Sequence, residues 1–228
     1  MKIVFLNTWN GEIKDGITEF IRNQALDTDI FCFQEVYPEM RQLARSILSD
    51  YEEFYAYKEI SGDDFTQATY VNKKIKVIET GEVLDAQTDC GLGVNIKITF
   101  GNKIIQICNF HGCCQPGDKL DTPARLRQSI GLIEYFKDKK GLKIIGGDFN
   151  MLPDTESIRM FANNGYRDLI REFDVKTTRN RVAWEMYPNN PQYHADYIFL
   201  SPEIRMKNFS VVNNEVSDHL PLILEIEE

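Results

Sequence analysis

The sequence predicts an α/β protein whose sheets carry helices on their outer faces. Two observations predict it. Runs rich in Ile, Val, Leu, Phe and Tyr, bounded by turn residues, recur along the whole chain and read as strands. Stretches with apolar residues at helical spacing fall between them, early and in the middle of the chain. Hydrophobic residues make up 43% and aromatics 11% of the 228 residues, enough for a sizeable core and too much for a disordered chain. No repeat, low-complexity tract or Pro/Gly/Ser linker divides the sequence, so residues 1–228 are expected to form one domain.

Taken in order, the expected strands are Lys2–Asn7, Ile30–Glu35, Phe54–Tyr57, Ala68–Val71, Ile75–Leu84, Gly93–Thr99, Lys103–Phe110, Lys143–Gly147, Tyr193–Leu200, Met206–Val212 and Pro221–Ile226. Many are β-branched, and turns such as Gly101-Asn102 separate them. A first helix places Ile17, Phe20, Ile21 and Ala25 on one face. A second opens at Pro38, whose missing N–H would be unpaired in a first turn anyway, and aligns Met40, Leu43, Ala44 and Ile47. A third runs from about Thr122, a capping residue, to Lys137, with Pro123 at its first position and a stripe of Leu126, Ile130, Ile133 and Phe136. A fourth begins near Asp154, turns Ile158 and Phe161 inward, and stops at Asn163-Asn164-Gly165.

The formal net charge is −9, so the chain lacks the global pull that nucleic-acid binders use. That lowers the expectation of a tight DNA binder without excluding a nuclease. No apolar stretch approaches the roughly 20 residues needed to span a membrane. Met1-Lys2-Ile3-Val4-Phe5-Leu6 is too short for a signal-peptide core and reads as a first strand, so the expected location is cytoplasmic. The five cysteines are odd in number and irregular in spacing, unlike a disulfide framework. Cys32 and Cys108 belong to apolar runs and are expected in the core; Cys113-Cys114, two residues after His111, is either a redox or soft-metal pair or two small loop residues near a site.

Polar motifs stand at the ends of the apolar runs: Leu6-Asn7, Gln34-Glu35, Gly147-Asp148-Phe149-Asn150 and Ser217-Asp218-His219. In extended backbone Asp148 and Asn150 share a side and Phe149 points into the core. An Asp and an Asn presented together can bind a hard cation, polarise a phosphoryl oxygen or orient a water; the alternative is a capped loop before Pro153. Glu35 at the rim of a buried strand suits a Mg²⁺ ligand, although alone it reads as a surface acid, and Asn7 alone as a turn residue. Asp218-His219 offers a carboxylate beside a group that titrates near neutrality. His111 follows another strand, and Asp196 could orient one of the histidines; no role is assigned to His194.

In their order along the chain these motifs resemble the endonuclease/exonuclease/phosphatase superfamily, the group of deoxyribonuclease I, from Asn7 to His219. Gly-Asp-Phe-Asn and Ser-Asp-His-Leu-Pro carry the resemblance, and Gln-Glu-Val supports it. It implies a four-layer α/β sandwich, two packed mixed β-sheets flanked by helices, with the site at one end. It also implies a Mg²⁺-dependent hydrolase of phosphate esters, with Mn²⁺ a possible substitute. By matching positions, Glu35 is the principal metal carboxylate, with Asn7 nearby and Asp218 contributing to the metal region. Asp148 activates or orients the attacking water, and Asn150 supplies a phosphate-binding amide. His219, held by Asp196, contacts phosphate, and His111 matches the second histidine of the deoxyribonuclease-like and sphingomyelinase-like branches. The Asp196–His219 pairing should raise the histidine's pKa.

The expected partner is a phosphoester: nucleic acid or a small phosphodiester. Phosphomonoesterase and lipid phosphodiesterase are the alternatives within the superfamily. A non-catalytic binding module is disfavoured because every matched position carries a competent residue. Residues 177–192, with Arg179, Arg181 and Trp184, form the expected substrate loop, since cations with aromatics can hold phosphate and stack a base; the alternative is a solvated loop with one packed Trp. Arg125 is expected either to reach phosphate or to form a salt bridge.

Overall fold

Strand β1 (Lys2–Asn7) alternates its side chains between two cores, and this alternation sets the architecture. Ile3 and Phe5 join a core that contains Ile107, Ile145 and Phe199, whereas Val4 and Leu6 join one that contains Ile17, Phe20 and Met40. Strand β2 (Ile30–Gln34) pairs with it in parallel and divides in the same way, Cys32 to the first core and Phe31 and Phe33 to the second. A strand apolar on both faces must be covered on both, here by a second sheet and by helices.

The computed structural model describes residues 1–60, 63–86 and 89–228. Among them, twelve strands form two six-stranded mixed sheets packed together, with six helices around them. One sheet has the order β11 (Met206–Val211), β12 (Leu222–Ile226), β1, β2, β4 (Asp63–Asn72), β3 (Tyr51–Ile60). The other runs β5 (Val77–Val83), β6 (Leu92–Phe100), β7 (Lys103–His111), β8 (Leu142–Asp148), β10 (Asp196–Leu200), β9 (Arg167–Asp168). Helices α1 (Lys14–Gln24) and α2 (Pro38–Ile47) cover the first sheet through Ile17, Phe20, Ile21, Met40 and Ala44. Helices α3 (Pro123–Lys137) and α4 (Glu156–Asn163) cover the second through Leu132, Phe136, Ile158 and Phe161. Among the described residues no helix is long and apolar enough to cross a membrane.

The expected four-layer sandwich is therefore present, with differences of detail. The β3–β4 hairpin runs far beyond the expected Phe54–Tyr57 and Ala68–Val71, because backbone pairing continues through polar residues that carry no apolar signal. The two-residue β9 and the short helices α5 (Leu169–Glu172) and α6 (Arg181–Met186) were not expected; each is too short for periodicity to show. Thr122 caps α3 as expected, its hydroxyl accepting from Arg125 N at 3.1 Å. The buried face of α3, however, is Arg125, Gln128, Ser129, Leu132 and Phe136, and Ile130 is exposed. The helix is turned because Arg125 and Gln128 satisfy buried loop groups: Gln128 Oε1 accepts from the N–H groups of Gly91 and Cys113.

Polar side chains bridge the two sheets beneath one end of the sandwich. Asn109 of β7 donates through Nδ2 to the carbonyls of Phe33 and Ala68, both at 3.1 Å, and accepts from Gln34 Nε2 at 2.5 Å. Gly146 lets the sheets close there, and Gly147 lets β8 lie tight against its neighbour β7. A Cβ on Gly146 would meet the Phe5 ring at 2.8 Å; one on Gly147, whose φ is +133°, would meet the Phe110 carbonyl at 2.1 Å. Replacing Asn109 with Leu keeps bulk but leaves those buried polar groups unpaired. Asn109→Leu should lower stability by about 2–4 kcal/mol in urea unfolding, more than the same change at an exposed position.

Candidate active site

Strand register gathers the site. His111 at the end of β7, Asp148 at the end of β8 and Asp196 at the start of β10 stand opposite one another across three neighbouring strands. From the other sheet, Asn7 ends β1 opposite Gln34, and Glu35 follows at once. Asn7 Nδ2 joins the two halves, donating to Glu35 Oε1 at 2.9 Å and to Asp148 Oδ2 at 3.0 Å. Its Oδ1 accepts from Trp9 N at 3.0 Å, which sets the orientation of the amide.

The backbone turns sharply on either side of the cleft. Glu35 and Asn150 both have φ +55°, a region unfavourable for Glu and tolerated by Asn. Thr8 Oγ1 holds the Glu35 turn by donating to the carbonyls of Gln34 and Glu35, each at 3.0 Å. The Asn150 turn is held by its own N–H, which donates to Asp148 Oδ1 at 2.8 Å. Phe149 points away into the core, edge-on to Phe161, Tyr197 and Phe199, as the alternation predicted.

His219 is buried, with Nδ1 2.9 Å from Asp196 Oδ2 and Nε2 3.6 Å from Asp148 Oδ2. Thr178 fixes Asp196 by accepting from the backbone N–H groups of Ala195 and Asp196 at 3.0 and 3.2 Å. Burial and the Arg179 charge push the His219 pKa down, but Asp196, Asp218 and Asp148 outweigh them, and it lies above the ordinary histidine value. Asp148 behaves in the opposite sense: burial pushes it up, yet His219, Lys119, His111 and Arg179 hold it well below the usual carboxylate range.

The cations sort differently from expectation. Arg179 reaches the cleft, donating to Asp218 Oδ2 at 2.6 Å, because its backbone bridges to His219. Asp218 Oδ2 is thus engaged by Arg179, while the groupings suited to a metal among the described residues are formed by Glu35, His111, Asp148, Asp196 and His219. Arg125 does not reach the cleft. It is fully buried, pairs with Asp118 at 3.4 Å as the salt-bridge alternative expected, and donates to the carbonyls of Cys113, Cys114, Pro116 and Leu120, so it shapes the loop after His111. Arg181 is exposed and paired with Glu185 and Glu215, and the Trp184 indole donates to Gln192 O at 3.1 Å. Both line a separate hollow beside the cleft, not the cleft itself. Cys114 lines the cleft and Cys113 is buried behind it, which fits the loop reading of that pair. The His194 ring bonds to the Val175 carbonyl at 2.9 Å, away from the chemistry.

Sequence reasoning missed Lys119. It is buried in the cleft, its ammonium donates to Asn150 Oδ1, and burial lowers its pKa. Its one sequence signal was a lone cation in the polar stretch between His111 and Thr122.

Ligand atoms of Glu35, His111 and Asp148 all lie within 4.8 Å of one another. Glu35 is partly exposed, and His111 Nδ1 is buried without a hydrogen bond among the described residues. Two carboxylates and an amide fit a hard divalent cation such as Mg²⁺ or Mn²⁺. Asp148, Asp196 and His219 form a second such grouping, but there the imidazole Nδ1 is already taken by Asp196. To offer an oxygen to a cation beside Glu35, Asn7 must turn its amide over, since it now presents Nδ2.

The endonuclease/exonuclease/phosphatase family model matches residues 5–219. The chain belongs to that family, whose members are phosphoester hydrolases that generally depend on divalent metal. No curated protein sequence matches it. Among solved structures it is similar to a family member from Bacteroides vulgatus, with 16% identity over 99% of this chain and 98% of that one and a TM-score of 0.78. A mannosyl-6-phosphatase from Bacteroides thetaiotaomicron has 17% identity over 100% of both chains and a TM-score of 0.75. The D. rerio protein TDP2, complexed with a single-strand DNA product, has 16% identity over 100% of this chain and 99% of that one, with a TM-score of 0.75.

The Asp196–His219 pair should be visible by titration. A raised folded pKa stabilises the protein fully below the ordinary histidine value, and that contribution is lost as pH rises through the raised value. In metal-free protein followed by NMR, His219 should titrate above an ordinary histidine, and Asp196→Asn should move its midpoint down; an unmoved midpoint contradicts the pairing.

Proposed function

We propose that the protein is a divalent-metal-dependent phosphodiesterase that hydrolyses its substrate by in-line attack of water. The observation that carries this reading is the convergence of Asn7, from the other sheet, and His219, from the segment before β12, on the one buried carboxylate of Asp148.

Each residue has a role that its surroundings allow. Asp148, held below the usual carboxylate range, is ionised at any working pH and is a weak base. It orients the attacking water, and as the new P–O bond forms and the ester P–O bond breaks the water's proton passes by way of Asp148 to the departing oxygen, which leaves as the alcohol. Protonated His219, steadied by Asp196 and with Nε2 turned toward Asp148, faces the phosphoryl group and meets the negative charge that grows on its oxygens. Asn150 gives Nδ2 to the Gly112 carbonyl at 3.2 Å, and the second hydrogen of that amide serves a phosphoryl oxygen. Glu35 would hold Mg²⁺ or Mn²⁺ together with Asn7, with His111 at its edge; the ion, when bound, polarises the phosphoryl group and balances charge.

A second reading, a phosphomonoesterase or an enzyme for chain ends, draws on the shape of the cleft. It has a volume of about 440 Å³, and the amides of Asn190 and Gln192 cross one edge to the Gly117 carbonyl. That edge favours a small or terminal phosphoester over a continuous duplex. The mannosyl-6-phosphatase and the DNA-bound protein share the fold, so both ester classes are compatible with it.

Chelation should abolish turnover and Mg²⁺ or Mn²⁺ should restore it. Asp148→Asn should lower kcat on the order of 10²–10³-fold with the fold retained by circular dichroism. A panel of generic phosphodiester, generic phosphomonoester, single-stranded RNA, plasmid DNA and abasic duplex separates the readings. Turnover of the monoester alone would sink the phosphodiesterase assignment.

A further inference from the structure

Lys119 is 7% exposed, yet it lines the catalytic cleft together with Asp148, Asn150 and His219. An ammonium carries three N–H donors. Among the described residues, the one hydrogen bond of this ammonium goes to Asn150 Oδ1. Buried cations are ordinarily paired and fully hydrogen-bonded, because an isolated one is costly to desolvate. Two donors of a buried cation, open toward a cleft, are built for an anion.

The surrounding loop is shaped to deliver that group. Lys119 has φ +57°, a left-handed conformation that a long side chain rarely adopts and that survives only where the surroundings enforce it. Here the Leu152 N–H donates to the Lys119 carbonyl at 3.0 Å, tying the loop to the segment just past Asn150. Arg125 gathers the carbonyls on both sides of Lys119, those of Pro116 and Leu120 each at 2.6 Å. The Asn190 and Gln192 amides donate to the Gly117 carbonyl, two residues before Lys119, and hold the loop from its outer edge. The arrangement exceeds what orienting the Asn150 amide requires, since a neutral donor would do that without burying a charge.

We propose that Lys119 is a phosphate-binding residue of this cleft, its ammonium contacting a phosphoryl oxygen beside Asn150 and His219. The assignment rests on the reading of the cleft as a phosphoester site and adds a third cationic group to it. The recognised chemistry is a phosphate oxyanion, whether of a bound ester or of free inorganic phosphate.

The test is inorganic phosphate binding to the full chain with Mg²⁺ present, measured by calorimetry and, separately, ester turnover. Lys119→Met should weaken phosphate binding by about tenfold or more and lower kcat on the order of 10²-fold. Lys119→Arg should recover part of both. Lys119→Gln, which keeps an amide donor for Asn150, serves where Lys119→Met does not hold the native fold by thermal melting. Unchanged phosphate affinity in folded Lys119→Met or Lys119→Gln, even with reduced kcat, would leave only a positioning role and overturn the proposal. Absence of phosphate binding by the wild type overturns it as well. If the wild type binds phosphate but hydrolyses no ester, the hydrolase reading fails, while the affinity comparison still decides Lys119.

Discussion

The site exists only because two separate sheets meet in one register, and Asn109 with Gln34 holds that register. Every polar end of the Asn109 amide is engaged across the gap, to two carbonyls and one side-chain amide of the opposite sheet. Apolar packing between sheets is non-directional and tolerates sliding. A buried amide with fixed partners does not tolerate it, because a slip leaves donors and acceptors unpaired. Glu35 follows Gln34 in the chain, and Asp148 follows Gly147, whose Cβ position lies 3.0 Å from Gln34 Nε2. The bridge therefore sets the separation of the two carboxylates, one from each sheet, that Asn7 spans above it.

Charge is the second constraint. Asp148, Asp196 and Asp218 are buried together at one end of a chain whose net charge is already −9. Buried acids persist only with compensating cations or donors. His219 answers Asp196, Arg179 answers Asp218, and Asp148 draws on His219, Lys119, His111 and Arg179 together. The same arrangement that makes these acids affordable raises His219 and lowers Asp148. It drives the two groups apart, the imidazole toward its protonated form and the carboxyl toward its ionised form.

Much of this was legible in the sequence, for identifiable reasons. Strands such as Lys2–Asn7 and Ile30–Gln34 are apolar on both faces, so they announced themselves, and α2 and α4 carry clear stripes. The motif residues were legible because each lies at or beside the end of a strand, and strand ends at one edge of a sandwich come together whatever the loops do. What was hidden had no local signature. The polar continuation of the β3–β4 hairpin is held by backbone pairing, and the inward face of α3 follows from Arg125 and Gln128 serving a loop far from any periodicity.

The sequence by itself determined the class of chemistry, because Asp148-Phe149-Asn150, Asp218-His219, Glu35 and Asn7 stand in an order and context that one family shares, matched from residue 5 to residue 219. Only the tertiary structure decided what each cation does. Arg179, Arg125 and Arg181 are the same residue type in similarly polar stretches, yet one faces the cleft, one is consumed by loop carbonyls and one lies on the surface. Lys119, with no motif around it, lies beside Asn150. A long charged side chain takes its role from the carboxylates and carbonyls that distant segments bring within reach, and spacing along the chain carries no record of those.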